Sequence, residues 1–159
     1  MSATEEFLAA LMPRLTEAEI ALHGGDPAQR IAMWSRADPV TLFGAATTVQ
    51  GWEEIRPVFS WLGEVLADLQ SYRMEVLAAG VSGDLAYLVA LEHVTCSMNG
   101  APPQPYTLRA TTVFRREDGQ WLAVHRHGDP LAAPSGGAPG GPLTGSADGR
   151  PGRPAESPR

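Results

Sequence analysis

Two segments rich in β-forming residues, 106–116 and 120–127, are separated by only a few residues centred on Asp118-Gly119. Asp-Gly favours the two-residue turns of β-hairpins, because both residues can adopt the positive φ angles that these turns need. A hairpin of this kind is antiparallel, and its turn fixes which residues of the two strands lie opposite each other. The dipeptide therefore predicts an antiparallel pair at the end of the folded part of the chain.

The same turn predicts a register for the hairpin. Its expected pairs are Glu117 with Gln120, Phe114 with Ala123, Thr112 with His125, and Ala110 with His127. Directly opposite residues share a face of a sheet, so both histidines should lie on the face of Phe114, and Arg109 and Arg126 on the other. A slip of one residue would exchange the faces of one strand.

The N-terminal half shows helical periodicity. Over residues 4–23 large apolar residues recur at spacings of three and four, and the charged residues, Glu19 among them, are expected off that face. Pro13 interrupts the pattern, so this helix should kink or restart there. Asp26-Pro27 is typical of the start of a second helix, with Asp as N-cap and Pro in the first turn.

The remaining elements complete an α+β order. A short strand is predicted over residues 40–44, a third helix over 51–69, and two further strands over 72–79 and 84–97. Helices first and an antiparallel meander afterwards are typical of α+β domains, in which the helices pack on one face of the sheet.

Composition narrows the class of protein. The net charge of −6 and the lack of a basic stripe argue against nucleic acid as a partner. No apolar run approaches the roughly 20 residues that cross a bilayer, so no membrane partner is expected. Glu5 and Glu6 stand where a signal peptide would carry basic residues, and the single cysteine, Cys96, suits a reducing compartment. We expect a cytoplasmic protein in which Cys96 is structural.

The composition changes near residue 134. Residues 135–159 contain seven Gly and five Pro and no aromatic residue. Such a segment cannot bury enough apolar surface to offset the entropy lost on ordering. We therefore predict one domain over residues 1–134 and a disordered Gly/Pro-rich tail over 135–159.

His125 and His127 stand two apart in WLAVHRHGDP, at the end of the last predicted strand. Residues i and i+2 of a strand point the same way, which is how strand histidines can grip one metal ion. Glu92, His93 and Asp129 are candidate third ligands, but none has a diagnostic spacing, so no metal is predicted. The other interpretations are an acid/base pair in a pocket and the polar end of a structural strand.

Glu92 and Arg109 interrupt the β-rich segments AYLVALEHV and YTLRATTVF. A charge in such a place is costly unless it is paired, so a cross-strand ion pair is one interpretation. In the other, Arg109 holds an anionic or carbonyl oxygen and Glu92 orients it. Asp129 either acts as a base at the rim of a cleft or ends the strand in an Asx turn.

The chain is well supplied with aromatic residues, most of which should lie in the core while a few wall an apolar pocket. The predicted ligand-binding residues are Trp34, Phe43, Trp61, Tyr87, Thr112 and Trp121. No cofactor is predicted, and the segment GAATTVQG lacks the lysine and the glycine spacing of a phosphate loop.

Three segments carry a resemblance to a known family: VTLFGA, GVSGDLAYLVALE and YTLRATTVFRREDGQWLAVHRHGDP. Over residues 5–131 the chain resembles the NTF2-like superfamily, and within it the SnoaL-like and ketosteroid-isomerase-like proteins often described as DUF4440 or SnoaL_3. The resemblance implies a cone-shaped α+β fold, in which a curved antiparallel sheet wraps around N-terminal helices and leaves an apolar pocket. It also implies a homodimer.

The same resemblance implies several activities, because the family contains isomerases, polyketide cyclases, epoxide hydrolases, dehydratases and members without catalysis. The isomerase members use an aspartate base with a tyrosine and a protonated aspartate. Here the first helix has no tyrosine, and Asp38, near the expected place of the base, is followed by Pro39. Steroid isomerisation itself is therefore not expected.

Two hypotheses follow. In the first, the protein is an isomerase, cyclase or hydrolase acting on a small apolar carbonyl or polyketide-like compound. Arg109 holds the oxyanion, His125 or His127 moves the proton, and Glu92 or Asp129 orients the histidine. In the second, the protein is a non-catalytic ligand-binding or dimerisation module, and its charged strand residues are structural.

Overall fold

The computed structural model describes residues 1–132, so the predicted tail over 135–159 and the last two residues of the predicted domain lie outside the described residues. Within the described part the elements are α1 (Ala3–His23), α2 (Ala28–Ala32), β1 (Thr41–Gly44), β2 (Thr47–Gln50), α3 (Trp52–Val65), β3 (Leu66–Ser82), β4 (Leu85–Met98), β5 (Gln104–Glu117) and β6 (Gln120–Pro130). None of the described helices is long and apolar enough to cross a membrane.

Helix α1 begins at a capping box, in which the Ser2 side chain accepts a hydrogen bond from the Glu5 N–H and the Glu5 carboxylate accepts one from the Ser2 N–H. Its apolar stripe is buried and consists of Phe7, Leu11, Leu15, Ala18 and Leu22. The helix continues through Pro13 to His23, so the alternative of a restart at Pro13 is wrong.

Helix α3 ends earlier than predicted. It stops at Val65, and Leu66 is already extended, with φ −92° and ψ 135°, so β3 follows without a loop. Leu66 pairs with Met98 at the far end of β4 and is 3% exposed. Pairing with β4 and burial of Leu66 override the helical periodicity that predicted a helix to residue 69.

The strands form one six-stranded sheet in the order β2-β1-β6-β5-β4-β3. Neighbouring strands are antiparallel except β1 and β6, which are parallel. Strand β2, which was not predicted, forms a tight antiparallel pair with β1. The helices pack on one side of the sheet, which we call the inner face, around a core that includes Phe7, Trp34 and Phe114. The other side is called the outer face.

The β5–β6 hairpin corrects part of the predicted register. Asp118 and Gly119 have positive φ, at 49° and 78°, and occupy the turn. The pairs Glu117–Gln120 and Phe114–Ala123 form as predicted. A β-bulge then places Val124 as an extra residue, so the next pairs are Val113–His125, Thr112–Arg126 and Thr111–His127. The predicted pairs of Thr112 with His125 and Ala110 with His127 are therefore wrong.

The bulge exchanges the faces of the second half of β6. Before it, Trp121 and Ala123 face inward and are buried in the core. After it, Arg126 opposite the buried Thr112 faces inward, and the two histidines face outward.

Candidate active site

A cavity of about 320 Å³ lies between the helices and the inner face, at the end of the sheet where β1 and β6 finish and β5 begins. Most of its wall is apolar and comes from residues including Leu22, Leu42, Val58, Leu62, Leu66 and Leu108. Its volume is at the lower end of the roughly 300–1,000 Å³ of small-molecule sites. The cavity therefore suits a small ligand with a largely apolar body.

Polar side chains meet at the buried part of this cavity. Glu19, His23, Arg30 and Arg126 belong to its lining, and each of the first three is no more than 3% exposed. Together with the neighbouring Tyr72 and Glu92 they form a group that we call the buried charge cluster: Glu19, His23, Arg30, Tyr72, Glu92 and Arg126.

Helix α1 carries Glu19 and His23 one turn apart, so both point the same way, and α2 supplies Arg30. The inner faces of β3, β4 and β6 supply the other three members.

Glu92 and Arg126 form a buried bidentate ion pair. Nη1 and Nη2 of Arg126 donate to Oε1 and Oε2 of Glu92, both at 2.8 Å, and the Glu92 side chain is 1% exposed. Burial opposes the ionisation of Glu92, but the charge and hydrogen bonds of Arg126 outweigh it and lower the pKa of Glu92. Burial likewise disfavours the charged guanidinium, yet Glu92 raises the pKa of Arg126. Both groups are therefore charged at neutral pH.

Glu19 and Arg30 form a second buried pair, with Nε of Arg30 donating to Oε1 of Glu19 at 2.5 Å. Nη1 and Nη2 of Arg30 are buried and have no hydrogen-bond partner among the described residues. The guanidinium carbon lies 5.2 Å from the centre of the Phe59 ring. Arg30 therefore keeps its charge compensated while two of its nitrogen atoms remain without acceptors.

His23 is held in one tautomer. Its Nδ1 lies 2.7 Å from the backbone oxygen of Glu19, and since a carbonyl can only accept, Nδ1 carries the hydrogen. The neutral ring then has its lone pair on Nε2, which makes no hydrogen bond within the described part of the chain. A Glu19 carboxylate oxygen lies 3.7 Å from Nδ1. The arrangement leaves Nε2 available as a proton acceptor.

Tyr72 packs beside His23, with 5.7 Å between the ring centres. Its hydroxyl is buried without a hydrogen-bond partner in the described residues. Burial, and after it the carboxylates of Glu19 and Glu92, raise the pKa of Tyr72. The hydroxyl therefore stays protonated and remains a donor.

Four of the five predicted catalytic residues lie together, but on the outer face. Nδ1 of His125 and Oγ1 of Thr41 are 2.7 Å apart, and Nε of Arg109 donates to Oδ1 of Asp129 at 3.1 Å. His127 stands between them in register, opposite Thr111. The prediction that the imidazoles and the Arg109 guanidinium face a shared cavity is wrong. The bulge at Val124 turns the two histidines to the outer face, and the β4–β5 register places Arg109 on that face as well.

The fifth predicted catalytic residue, Glu92, is on the inner face, but its partner is not Arg109. The β4–β5 register places Leu91 opposite Arg109 and Glu92 opposite Leu108. Adjacent residues of a strand point to opposite faces, so Glu92 and Arg109 are separated by the sheet. The cross-strand pair predicted for Glu92 exists, with Arg126 as its other member.

The predicted ligand-binding residues divide between the cavity and other places. Trp61 and Phe43 border the cavity, and Trp61 is 51% exposed. The Phe43 ring packs edge-on against His125 and His127, with ring centres 5.2 and 5.8 Å apart, so its side chain belongs to the outer face.

Trp34, Thr112 and Trp121 are buried side chains of the core and are not among the residues that line the cavity. Tyr87 is on the outer face, where it lies over Gly80 and is 44% exposed. The aromatic composition gave no means of separating these positions, because core and pocket walls use the same residue types.

The sequence did contain a signal for the missed residues on α1. Glu19 follows Leu15 by four residues and precedes Leu22 by three, which places it on the buried stripe, and it is 2% exposed. The prediction that Glu19 lies off the apolar face is therefore wrong. His23 follows by another four residues. A carboxylate and an imidazole on an otherwise apolar stripe are a recognisable mark of a buried site.

The described residues contain no group of three or more His, Cys, Asp and Glu side chains placed to hold a metal ion. His93 lies on the outer face between Glu75 and Thr107, with its Nε2 3.0 Å from the Glu75 carboxylate.

A family model for the SnoaL-like domain matches residues 13–133. The chain belongs to the SnoaL-like family. The α+β fold of this SnoaL-like protein, with N-terminal helices on a curved sheet, confirms the predicted NTF2-like architecture. A search of curated proteins finds no match.

Solved structures share the fold. A ketosteroid isomerase-like protein from Erwinia carotovora atroseptica matches with TM-score 0.66 and 16% identity, over 79% of this chain and 97% of that one. A candidate dehydratase of the NTF2-like family from Streptomyces avermitilis matches with TM-score 0.64 and 19% identity, over 81% and 99%. An NTF2-like protein of unknown function from Shewanella baltica matches with TM-score 0.63 and 12% identity, over 84% and 100%. At these identities the similarity shows a shared fold only.

Proposed function

We propose that this SnoaL-like protein binds a small, largely apolar carbonyl or polyketide-like compound in the cavity and acts on it by general acid/base catalysis without a cofactor. Isomerisation, cyclisation and hydrolysis are the reaction types that this chemistry serves. One observation carries the proposal: His23, whose Nε2 has no hydrogen-bond partner among the described residues, lines an apolar cavity together with two arginines, Arg30 and Arg126.

His23 takes the role first expected of His125 or His127. Histidine is the side chain that gains and loses a proton near neutral pH. Its Nε2 accepts a proton from the substrate carbon next to the carbonyl; the electron pair of that C–H bond forms a C=C bond, and the π pair of the C=O bond moves to the oxygen. The positive charges of Arg30 and Arg126 stabilise the negative charge there. Return of the proton to another atom of the substrate completes an isomerisation with no net change of charge.

The proposal is tested by comparing His23→Gln with His125→Gln, after a thermal-shift screen of small carbonyl compounds has supplied a ligand and candidate substrate. Loss of a general acid/base typically costs about 10²–10⁴-fold in rate, so we expect His23→Gln to lower kcat by that order. His125→Gln removes an imidazole from the outer face and should leave kcat nearly unchanged. Full turnover by a folded His23→Gln protein would remove the catalytic role.

The alternative function is ligand binding without catalysis. It is favoured by the commitment of both buried carboxylates, Glu19 and Glu92, to ion pairs with arginines, which leaves no free carboxylate of the cluster to act with His23. A ligand that binds in the cavity and is recovered unchanged, with equal affinity for the parent protein and His23→Gln, supports this alternative.

We extend the proposal to a homodimer formed through the outer face. None of the helices in residues 1–132 covers that face, which exposes Phe43, Leu85 and Tyr87 at 37%, 52% and 44%. Tyr87→Arg should then yield monomers in sedimentation analysis, whereas Ile20→Arg, at an exposed apolar position of α1, should not. A monomeric parent protein excludes the dimer. The free, buried Cys96 accords with the cytoplasm as the location.

A further inference from the structure

Arg30 differs from the other arginine that lines the cavity. Both Nη atoms of Arg126 donate hydrogen bonds to Glu92. Arg30 donates to Glu19 through Nε, and its Nη1 and Nη2 have no acceptors among the described residues. Arg30 is 1% exposed. Buried hydrogen-bond donors without a partner are rare in folded proteins, so each of these two nitrogen atoms indicates that an acceptor binds there.

The free edge of this guanidinium has a defined shape. Nη1 and Nη2 lie in one plane and can donate two parallel hydrogen bonds, which matches the two oxygen atoms of a carboxylate. Glu19 occupies the Nε side, so binding of a second carboxylate at Nη1 and Nη2 does not require its displacement. Both Nη atoms are fully buried, so the side chains around Arg30 must shift to admit that carboxylate. Glu19 and Glu92 together balance Arg30 and Arg126, so an added anion meets no net negative charge in the cluster.

The rest of the cavity fits a hydrocarbon. Its wall includes apolar side chains such as Leu22, Val58 and Leu62, and its volume of about 320 Å³ leaves room for a short alkyl chain or a single aryl ring. An apolar body ending in one anionic group therefore matches both parts of the cavity.

We propose that the ligand of this cavity is a small monocarboxylic acid, whose carboxylate accepts hydrogen bonds from Nη1 and Nη2 of Arg30 and whose hydrocarbon body lies against the apolar wall. This inference rests on the proposed function, since it concerns the same cavity, and narrows the ligand to acids. The carboxylate anchors the molecule and takes both Nη donors of Arg30, so in this refinement Arg126 is the guanidinium that stabilises the oxyanion. The reacting group lies along the body within reach of His23.

The test compares acids with their amides, which share shape but lack the charge. Hexanoic acid and hexanamide, and 4-phenylbutanoic acid and its amide, are titrated calorimetrically into the full-length protein. Hydrogen bonds to charged groups are the stronger kind, so each acid should bind at least about tenfold more tightly than its amide. Arg30→Lys keeps the positive charge beside Glu19 but removes the pair of parallel Nη donors. It should reduce the affinity for the acids and change the affinity for the amides little. Arg109→Gln, on the outer face, is the control and should change neither.

The possible results separate failure of this inference from failure of the proposed function. Equal binding of acids and amides, or an equal loss of both in Arg30→Lys, overturns this inference and leaves the proposed function standing, because that function requires only that a ligand occupies the cavity. Absence of acid binding overturns it as well. If the amides and the carbonyl compounds of the thermal-shift screen also fail to bind, the proposed function falls too. Arg30→Gln, checked for folding by circular dichroism, repeats the comparison of acids with amides in a protein that lacks the charge of Arg30.

Discussion

Replacement of Arg126 by methionine tests the inward orientation that the bulge gives to β6. The substitution keeps a long apolar side chain but removes both hydrogen bonds, at 2.8 Å, to the Glu92 carboxylate. Glu92 is 1% exposed and would be left as an unpaired buried charge. Breaking a buried ion pair on one side costs about 3–5 kcal/mol, because the stranded charge keeps its desolvation penalty. We therefore expect Arg126→Met to lower the free energy of unfolding by that amount.

Two further variants separate the pair from its surroundings. The double variant Glu92→Leu/Arg126→Met removes both charges, and replacement of a whole buried pair by apolar residues is often neutral or stabilising. It should therefore be more stable than Arg126→Met. Arg109→Met removes the outer-face pair with Asp129, in which the arginine side chain is 50% exposed, and should cost about 0–1 kcal/mol.

Urea unfolding followed by tryptophan fluorescence measures these free energies, provided that the denaturant dependence is similar among the variants. The reasoning is refuted if Arg109→Met costs as much as Arg126→Met, because the two arginines would then be equivalent. It is refuted also if the double variant is no more stable than Arg126→Met, because the penalty would then not come from the stranded carboxylate.

Three more predictions follow from single positions. In the folded protein the pKa of Glu92 is below its ordinary 4.5, so as the pH falls the unfolded chain is protonated at this residue before the folded protein is. The free energy of unfolding, measured in urea across the acid range, should therefore decline below about pH 4.5. Glu92→Gln should lose that part of the decline. Burial, and then the neighbouring His127, lower the pKa of His125, so its NMR titration midpoint should lie below 6.5 and move up in His127→Ala. Gly63→Ala should lower the melting temperature although Ala favours helix, because its Cβ would lie 2.8 Å from Cδ of Pro27.

The sequence predicted those elements whose stability is largely local. The structures of helix α1 and of the Asp118-Gly119 turn are determined by residues close together in the sequence, and both form where expected. The end of α3 and the strand β2 were not predicted. Leu66 continues an apolar helical pattern, yet its pairing with Met98, more than 30 residues away, makes it the first residue of a strand. Pairing at that separation leaves no mark in local periodicity.

The candidate site was predicted less well because it depends on one bulged residue. The turn and the first pairs of the β5–β6 hairpin are as predicted, and the error begins at Val124. From there each residue of β6 exchanges its face, so the histidines move out and Arg126 moves in. Ala123 and Val124 are both buried, although successive residues of a regular strand point to opposite faces. Burial of two successive residues is what a bulge at this point produces.

Once the β4–β5 register is known, Glu92 nevertheless indicates that β6 has a bulge between Trp121 and Arg126. A carboxylate on an inward position of a central strand requires a cation on the same face, because an unpaired buried charge is too costly. Arg109 is excluded by the β4–β5 register, which places it opposite Leu91 on the outer face. The candidate that remains on β6 is Arg126, and it can face inward together with Trp121 only if one residue between them is extra. Burial of one charge thus fixes the strand register, and the register decides which side chains line the cavity.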